Sequence, residues 1–336
     1  MQSGEDLTLD GPVTDELAYQ LNGDLQHAVA TIIPSLYRIA VHTPNVQPPL
    51  PAAEGVATGF SAGIDSFTVM ADHHYAEVPD THRVTHLLYN NVGSHLSGAE
   101  RLFRERYNRL LPLTRAMGLP FAAVNSNLAA FHRLRFEQTH TLRNTSVAFL
   151  LQGGIGRFLY ASAVPYGSVM LRATGDIAYA DPIVLPLVST RALQSESSGS
   201  SYRRVDKTML VAGINDSYSN LDVCADGDKA GNCSRCWKCM RTMLTLEIGG
   251  QLEQYDQVFD LDLYHRGRVN YMARVLIGQD SLLREIRTFA KERGFSFPVA
   301  AWAQTPSTRF SPGIKSFVVR TTTPQMRQRA KRAIGR

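Results

Sequence analysis

No cysteine lies outside residues 224–239, so a disulfide framework spread along the chain is excluded. Long apolar runs are also missing. The most membrane-like stretch, Ser146–Val164, contains Gln152, Arg157 and the pair Gly153-Gly154, and reads as a buried helix rather than a span. Met1–Asp10 carries Glu5, Asp6 and Asp10 without an apolar run, so no secretory signal is expected and a cytoplasmic location is. No internal repeat is found, and no Gly-Lys-Ser/Thr follows a glycine turn, which excludes a Walker-type nucleotide loop. Neither sign of charge dominates: 35 basic residues face 30 acidic ones, for a net charge of +5. Seven of the basic residues fall between Lys315 and Arg336 with no acidic neighbour, leaving the body with 28 against 30, a balance of −2. A nucleic-acid partner is therefore expected only through that tail.

What is present is an ordinary globular composition, 44% hydrophobic and 19% charged over 336 residues, which excludes disorder, collagen and coiled coil. Residues 1–50 predict a short strand at Leu7–Leu9, a helical stretch from Thr14 to about Ser35 and a strand at Tyr37–His42, followed by a proline-rich linker, Pro44–Pro51. Short apolar strands are expected at Gly55–Phe60, His82–Tyr89 and Phe121–Val124. Helices are expected at Ser66–His74, Ala99–Met117 and Thr145–Ala163. This alternation over 54–215 predicts a doubly wound α/β fold with a parallel sheet covered on both faces. Asp181–Leu187 reads as another strand and the Ser-rich stretch Gln194–Ser201 as a mobile loop. Helices and turns alternate over Leu252–Arg293.

In Gly59-Phe60-Ser61-Ala62-Gly63-Ile64-Asp65-Ser66, a strand ends in a small-residue turn that opens a helix. Unpaired backbone N–H groups at such a turn favour an anion, and small side chains let a phosphate approach. Asp65 repels a bare phosphate, so it either acts through Mg²⁺ or caps the helix. Further on, Cys224, Cys233, Cys236 and Cys239 have the spacing C-x8-C-x2-C-x2-C. Four thiolates in a tetrahedron leave no open coordination position, so such a site is structural. Zn²⁺ suits it, an iron–sulfur cluster uses the same ligands, and Arg235, Lys238 and Arg241 are placed to offset the negative charge. Trp237 is expected to cover this site. Gly153-Gly154-Ile155-Gly156 is read as helix packing, and His73, His74, His82, His86 and His95 as surface or packing residues.

Residues 61–66 resemble the PP-loop of the ATP pyrophosphatase superfamily, Ser-Gly-Gly-x-Asp-Ser, with Ala62 in place of the first glycine. Together with the cysteine spacing and the pair Arg143-Asn144, they resemble the 7-cyano-7-deazaguanine synthase family over residues 54–245. Asp176 and Asp181 fall where that family has two acidic segments. The typical Leu-Thr-Lys turn is replaced here by Val188-Ser189-Thr190-Arg191, so the chain looks like a paralogue. The resemblance implies an N-terminal extension (1–50), a PP-loop ATP-binding domain (51–215), a four-cysteine zinc segment (216–250) and a helical C-terminal region with a basic tail (251–336).

It also implies an ATP-dependent, AMP-forming ligase that adenylates a small carboxylate and passes it to ammonia or an amine. A deazaguanine-like compound is one such carboxylate. The expected cofactors are ATP with Mg²⁺ and structural Zn²⁺. On this reading Ser61, Ala62, Gly63 and Ile64 hold pyrophosphate, with Ser66 assisting and Asp65 acting through Mg²⁺. Arg143 takes the α-phosphate or the carboxylate, Asn144 stands next to it, and Asn90 and Asn91 lie beside adenine. Arg204 and Lys207 close over the leaving phosphates from a mobile segment. The expected catalytic set is Asp65, Ser66, Arg143 and Lys207. Two alternatives are a tRNA thiolation enzyme and a non-catalytic ATP-binding subunit of a larger biosynthetic or defence complex; a homo-oligomer or complex subunit is expected either way. The tail is expected to be separable from the chemistry.

Overall fold

The computed structural model describes residues 1–94, 100–131, 133–226 and 230–305. His95 and the basic tail from Lys315 lie outside the described residues.

The N-terminal region holds β1 (Leu7–Thr8), β2 (Val13–Thr14), α1 (Asp15–Asn22), α2 (Asp24–Ile32), β3 (Val41–His42) and β4 (Val46–Gln47). The helical stretch expected from Thr14 to Ser35 is broken at Gly23, which leaves helical φ/ψ between α1 and α2. The strand expected at Tyr37–His42 narrows to β3, which pairs with β1, and the expected linker contains β4, which pairs with β2.

The central sheet is built from β5 (Gly55–Gly59), β6 (His86–Asn91), β7 (Phe121–Asn125), β8 (Ile155–Ala161) and β9 (Gln194–Ser198). All neighbours are parallel, in the order β7-β6-β5-β8-β9. Helices α3 (Ile64–Met70), α4 (Glu100–Ala116), α5 (Phe136–Leu150), α6 (Asp181–Val188), α7 (Arg204–Val211), α8 (Asn215–Tyr218), α9 (Trp237–Ile248), α10 (Leu261–Ile277), α11 (Ser281–Glu292) and α12 (Val299–Ala303) complete the described elements.

Successive strand residues feed different cores, as the two-residue period of a strand dictates. Val56, Leu87 and Leu159 join the cluster with Phe67, Leu110, Met243 and Tyr264. Ala57, Leu88 and Phe158 join Val147 and Ala148 of α5. A third cluster packs α2, through Leu25, Val29 and Ile32, against Ile177, Ala180 and Val184. The N-terminal region thus braces the segment that carries Asp176 and Asp181.

Four expectations fail here. Thr145–Ala163 is not one helix: α5 ends at Leu150, Gln152-Gly153-Gly154 turns, and β8 follows. Gly154 and Gly156 therefore do not serve helix packing. A Cβ at Gly156 would sit 2.0 Å from the Ala53 carbonyl, so this glycine lets the chain before β5 lie against β8. Asp181–Leu187 is helical, because Pro182 occupies the first turn, where its missing N–H costs nothing. The Ser-rich stretch is β9, not a loop. Two of its hydroxyls bond inside the fold, Ser197 Oγ with Ser200 Oγ at 3.1 Å and Ser198 Oγ with His73 Nε2 at 3.0 Å, and Glu196 pairs with Arg157 across the strand at 2.9 Å.

Candidate phosphate crevice and metal centre

The strand order reverses between β5 and β8, and in such sheets ligands sit beyond the carboxyl ends of the strands at that point. The segment that follows β5 is Ser61–Ser66, and the one that follows β8 begins at Ser162. Ala62 has φ 55° and is fully buried. The turn needs a left-handed residue where the sequence supplies alanine, which costs about 1–2 kcal/mol. Two bonds secure it: Asp222 N donates to Ala62 O at 2.8 Å, and Ser66 Oγ donates to Gly63 O at 3.0 Å. Ser61 is exposed and Gly63 and Asp65 are half-buried, while Ile64 and Ser66 are buried.

Asp65 does not cap α3. The residue before the helix is Gly63, with no side-chain cap. Instead Arg204 Nη2 donates to Asp65 Oδ2 at 2.8 Å and Lys207 Nζ to Oδ1 at 2.9 Å. Burial works against the Asp65 charge, but Arg204 and Lys207 outweigh it and hold the carboxyl below its usual range. Lys207 is only 2% exposed and also donates to Ser162 O. It therefore ties the loop after β5 to the end of β8 from within α7, and is neither part of a mobile segment nor a solvated charge. Burial pulls its pKa down, and Asp65 partly restores it.

Two more cations arrive on α9. Lys238 and Arg241 both have Arg204 and Asp65 as electrostatic neighbours. Burial, then Arg204, brings Arg241 down to about 10. The Nε atoms of Arg204 and Arg241 are buried without an acceptor among the described residues. Asp65 is thus ion-paired to two cations with two more in its field, while Glu285 lies against Arg204 and Asp280 acts on Arg241. Positive charge left unpaired in a buried place is costly unless an anion joins it. Sequence reasoning assigned Lys238 and Arg241 only to offsetting the cysteines. Their spacing of three on one helix was the available signal.

Arg143 is placed differently from the anion ligand expected of it. It is 4% exposed, and its guanidinium donates to Thr139 Oγ1 at 2.6 Å, Val92 O at 2.8 Å and Leu134 O at 3.1 Å. It clamps the chain after β6 onto α5. Asn90 Nδ2 donates to Asn144 Oδ1 at 3.1 Å, joining β6 to α5, while Asn90 Oδ1 is buried without a partner among the described residues. Asn91 turns towards β7 and donates to Asn125 Oδ1 at 2.7 Å.

A polar network that sequence reasoning missed lies between α5, β8 and α6. His140 shares a 2.5 Å hydrogen bond with Tyr160 OH through Nδ1 and lies 3.4 Å from Asp176 Oδ1 through Nε2. Thr141 Oγ1 donates to Asp181 Oδ1 at 2.6 Å. Asp181 is fully buried, and burial pushes its carboxyl up to about 7, against the pull of His140 and Thr141. Of the histidines set aside, His73 packs against Ser198 Oγ and His82 O.

The four cysteine sulfurs lie within 4.8 Å of one another. Cys224 and Cys236 are 4.0 Å apart, and Cys236 and Cys239 are 3.5 Å apart. A tetrahedron with metal–sulfur bonds of about 2.3 Å has edges of about 3.8 Å, so the cluster can hold a metal ion such as zinc. Backbone N–H groups of Cys233, Cys236 and Cys239 point at Cys224, Cys233 and Cys236 sulfurs over 3.3–3.5 Å, a setting that favours thiolates. The cluster is joined to the Ser61–Ser66 turn through Asp222, whose N–H holds Ala62 O and whose carboxylate accepts from Cys224 N and Arg109. Trp237 is half-exposed and carries the Arg241 guanidinium 4.9 Å above its ring.

Among the described residues no helix is long and apolar enough to cross a membrane. No family model matches the chain, and no curated protein matches its sequence.

Proposed function

We propose that this chain is an ATP-dependent, AMP-forming carbon–nitrogen ligase, similar to the 7-cyano-7-deazaguanine synthases. It would activate a small carboxylate and transfer it to ammonia or an amine in the cytoplasm. The observation that carries the reading is the Asp65 carboxylate, at the carboxyl end of β5 beside the point where the strand order reverses, ion-paired to Arg204 and Lys207 with Lys238 and Arg241 as further electrostatic neighbours. A carboxylate does not react with an amine at neutral pH, because oxide would have to leave. Attack of the carboxylate oxygen on the α-phosphorus of ATP forms an acyl adenylate and expels pyrophosphate. The amine then forms the C–N bond as AMP departs with the electron pair, and one N–H proton is lost.

In the first step the backbone amides of Ser61–Ile64 receive the pyrophosphate, with the Ser61 and Ser66 hydroxyls beside them. Lys207 and Arg204 neutralise the growing charge, since preformed donors act most strongly where charge develops. Asp65 would hold the Mg²⁺ that accompanies ATP, whose charge offsets that of the phosphates. Arg143 acts as a positioning residue that fixes the end of β6 against α5, so that Asn90 and Asn144 stand at the adenine side. The four-cysteine centre, with zinc as its ion, is structural and holds the loop through Asp222. With all four cysteines in one cluster, none is left to carry sulfur, which favours the ligase over tRNA thiolation.

The test is pyrophosphate release from ATP and Mg²⁺ with ammonia and a panel of carboxylates that includes 7-carboxy-7-deazaguanine. Release that needs a carboxylate supports the reading. A flat response across the panel with ATP still bound points instead to a binding subunit.

A further inference from the structure

Apart from the crevice, a second cleft of about 340 Å³ opens between the cysteine-rich segment and one face of α10. Its floor is Met240, Leu263 and Tyr271, and its walls carry Arg235, Arg266 and Arg274. Met240 and Tyr271 are buried, whereas the three arginines are exposed. None of the lining residues is acidic, and none of the three arginines pairs with a carboxylate among the described residues. Arg266 and Arg274 are eight residues apart on the helix, about 12 Å along its axis, and Arg235 faces them from the loop between two metal ligands. Arg241 links the two sites, with Arg204 of the crevice and Tyr271 of the cleft floor both among its electrostatic neighbours.

Three exposed guanidinium groups that make no ion pair with a carboxylate among the described residues, above an apolar floor, suit a ligand with phosphoryl groups and a flat ring. Guanidinium pairs phosphate oxygens two at a time, and a volume of about 300 Å³ is the lower end of what ligand sites offer. We infer that this cleft binds the phosphoryl group of a nucleotide, free or in a nucleic-acid strand, at Arg235, Arg266 and Arg274. The inference does not depend on the proposed ligase activity.

Fluorescence anisotropy with a labelled single-stranded RNA 12-mer tests it, using the wild-type chain, the double variant Arg266→Gln/Arg274→Gln and the single variant Arg235→Gln. All three positions are exposed, and metal content and circular dichroism monitor folding. The double variant is expected to bind about tenfold or more weakly. Its dependence of log K on log salt should be shallower by about 1.4, for two lost phosphate contacts on a single strand. Displacement of the RNA by AMP, lost in the same variants, assigns the site to free nucleotides; RNA binding that AMP does not displace assigns it to a strand. Wild-type affinity in all variants overturns the inference. So does a glutamate-rich peptide that binds as tightly as RNA with the same sensitivity to the variants.

Discussion

Lys207 Nζ lies 2.9 Å from Asp65 Oδ1 while also donating to the Ser162 carbonyl, so one buried ammonium joins the turn after β5 to the end of β8. Replacing it by methionine keeps much of the volume but removes the charge. Asp65 retains Arg204, so Lys207→Met is expected to cost about 2 kcal/mol of stability and about 100-fold in ATP turnover. Thermal unfolding and pyrophosphate release measure the two effects separately.

The Asp65 pairing also has a pH signature. Its folded pKa is lowered from 3.8, so the carboxylate contributes stability above that value and loses it as pH falls through the folded pKa. The stability difference between wild type and Asp65→Asn should therefore be constant from about pH 8 to about 5 and shrink below pH 3.8. A difference that grows on acidification would contradict the pairing.

Asp181 predicts the opposite slope. Its carboxyl is pushed up to about 7 from 3.8, so the folded chain keeps a proton that the unfolded chain releases between those values. Stability then falls as pH rises from about 4 to about 7, by as much as about 4 kcal/mol from this group. Asp181→Asn should flatten that part of the profile and unfold at a higher temperature than wild type at about pH 8. Parallel wild-type and variant profiles of melting temperature would refute this.

Ala62 occupies a left-handed position with its methyl fully buried. In Ala62→Gly, relief of about 1 kcal/mol of strain is offset by about 0.8 kcal/mol of lost burial, so stability and turnover should stay close to wild type. Ala62→Val places a β-branched residue at positive φ and should lose more than about 2 kcal/mol. Urea denaturation of the two variants checks both signs.

The bond from Asp222 N to Ala62 O makes the cysteine cluster a support for the Ser61–Ser66 turn. One zinc ion per chain is expected. Its removal by a chelator, or Cys236→Ser, should lower both the melting temperature and ATP turnover, and zinc should restore them after chelation. Iron with acid-labile sulfide in the purified protein would contradict the structural assignment.

The turn at residues 61–66 between strand and helix and the cysteine cluster were legible in the sequence because each is written in nearly consecutive residues. The parallel sheet was legible through its alternation of short apolar strands with helices. What misled was an apolar run from Val147 to Ala163 with few polar interruptions, in which helix and buried strand look alike. With α5 placed at 136–150, His140 and Asn144 fall on one face and the His140–Tyr160–Asp176 network becomes visible; with a helix starting at Thr145 it did not. The strand β9 was hidden because it is polar, with Ser197 and Ser198 bonded to Ser200 and His73 rather than held by apolar packing. The burial of Lys207 and the clamp made by Arg143 depend on contacts across 45 and 51 residues, which no local pattern records.

The central claim is that Asp65 and its cations serve adenylation. Mass spectrometry of products from ATP, Mg²⁺, ammonia and 7-carboxy-7-deazaguanine, run with wild type and Asp65→Ala at equal zinc content, tests it most directly. AMP, pyrophosphate and an amide or nitrile product with wild type, falling about 100-fold or more in the variant, is the predicted result. Equal AMP formation by Asp65→Ala, or ADP and phosphate as products, would contradict the account.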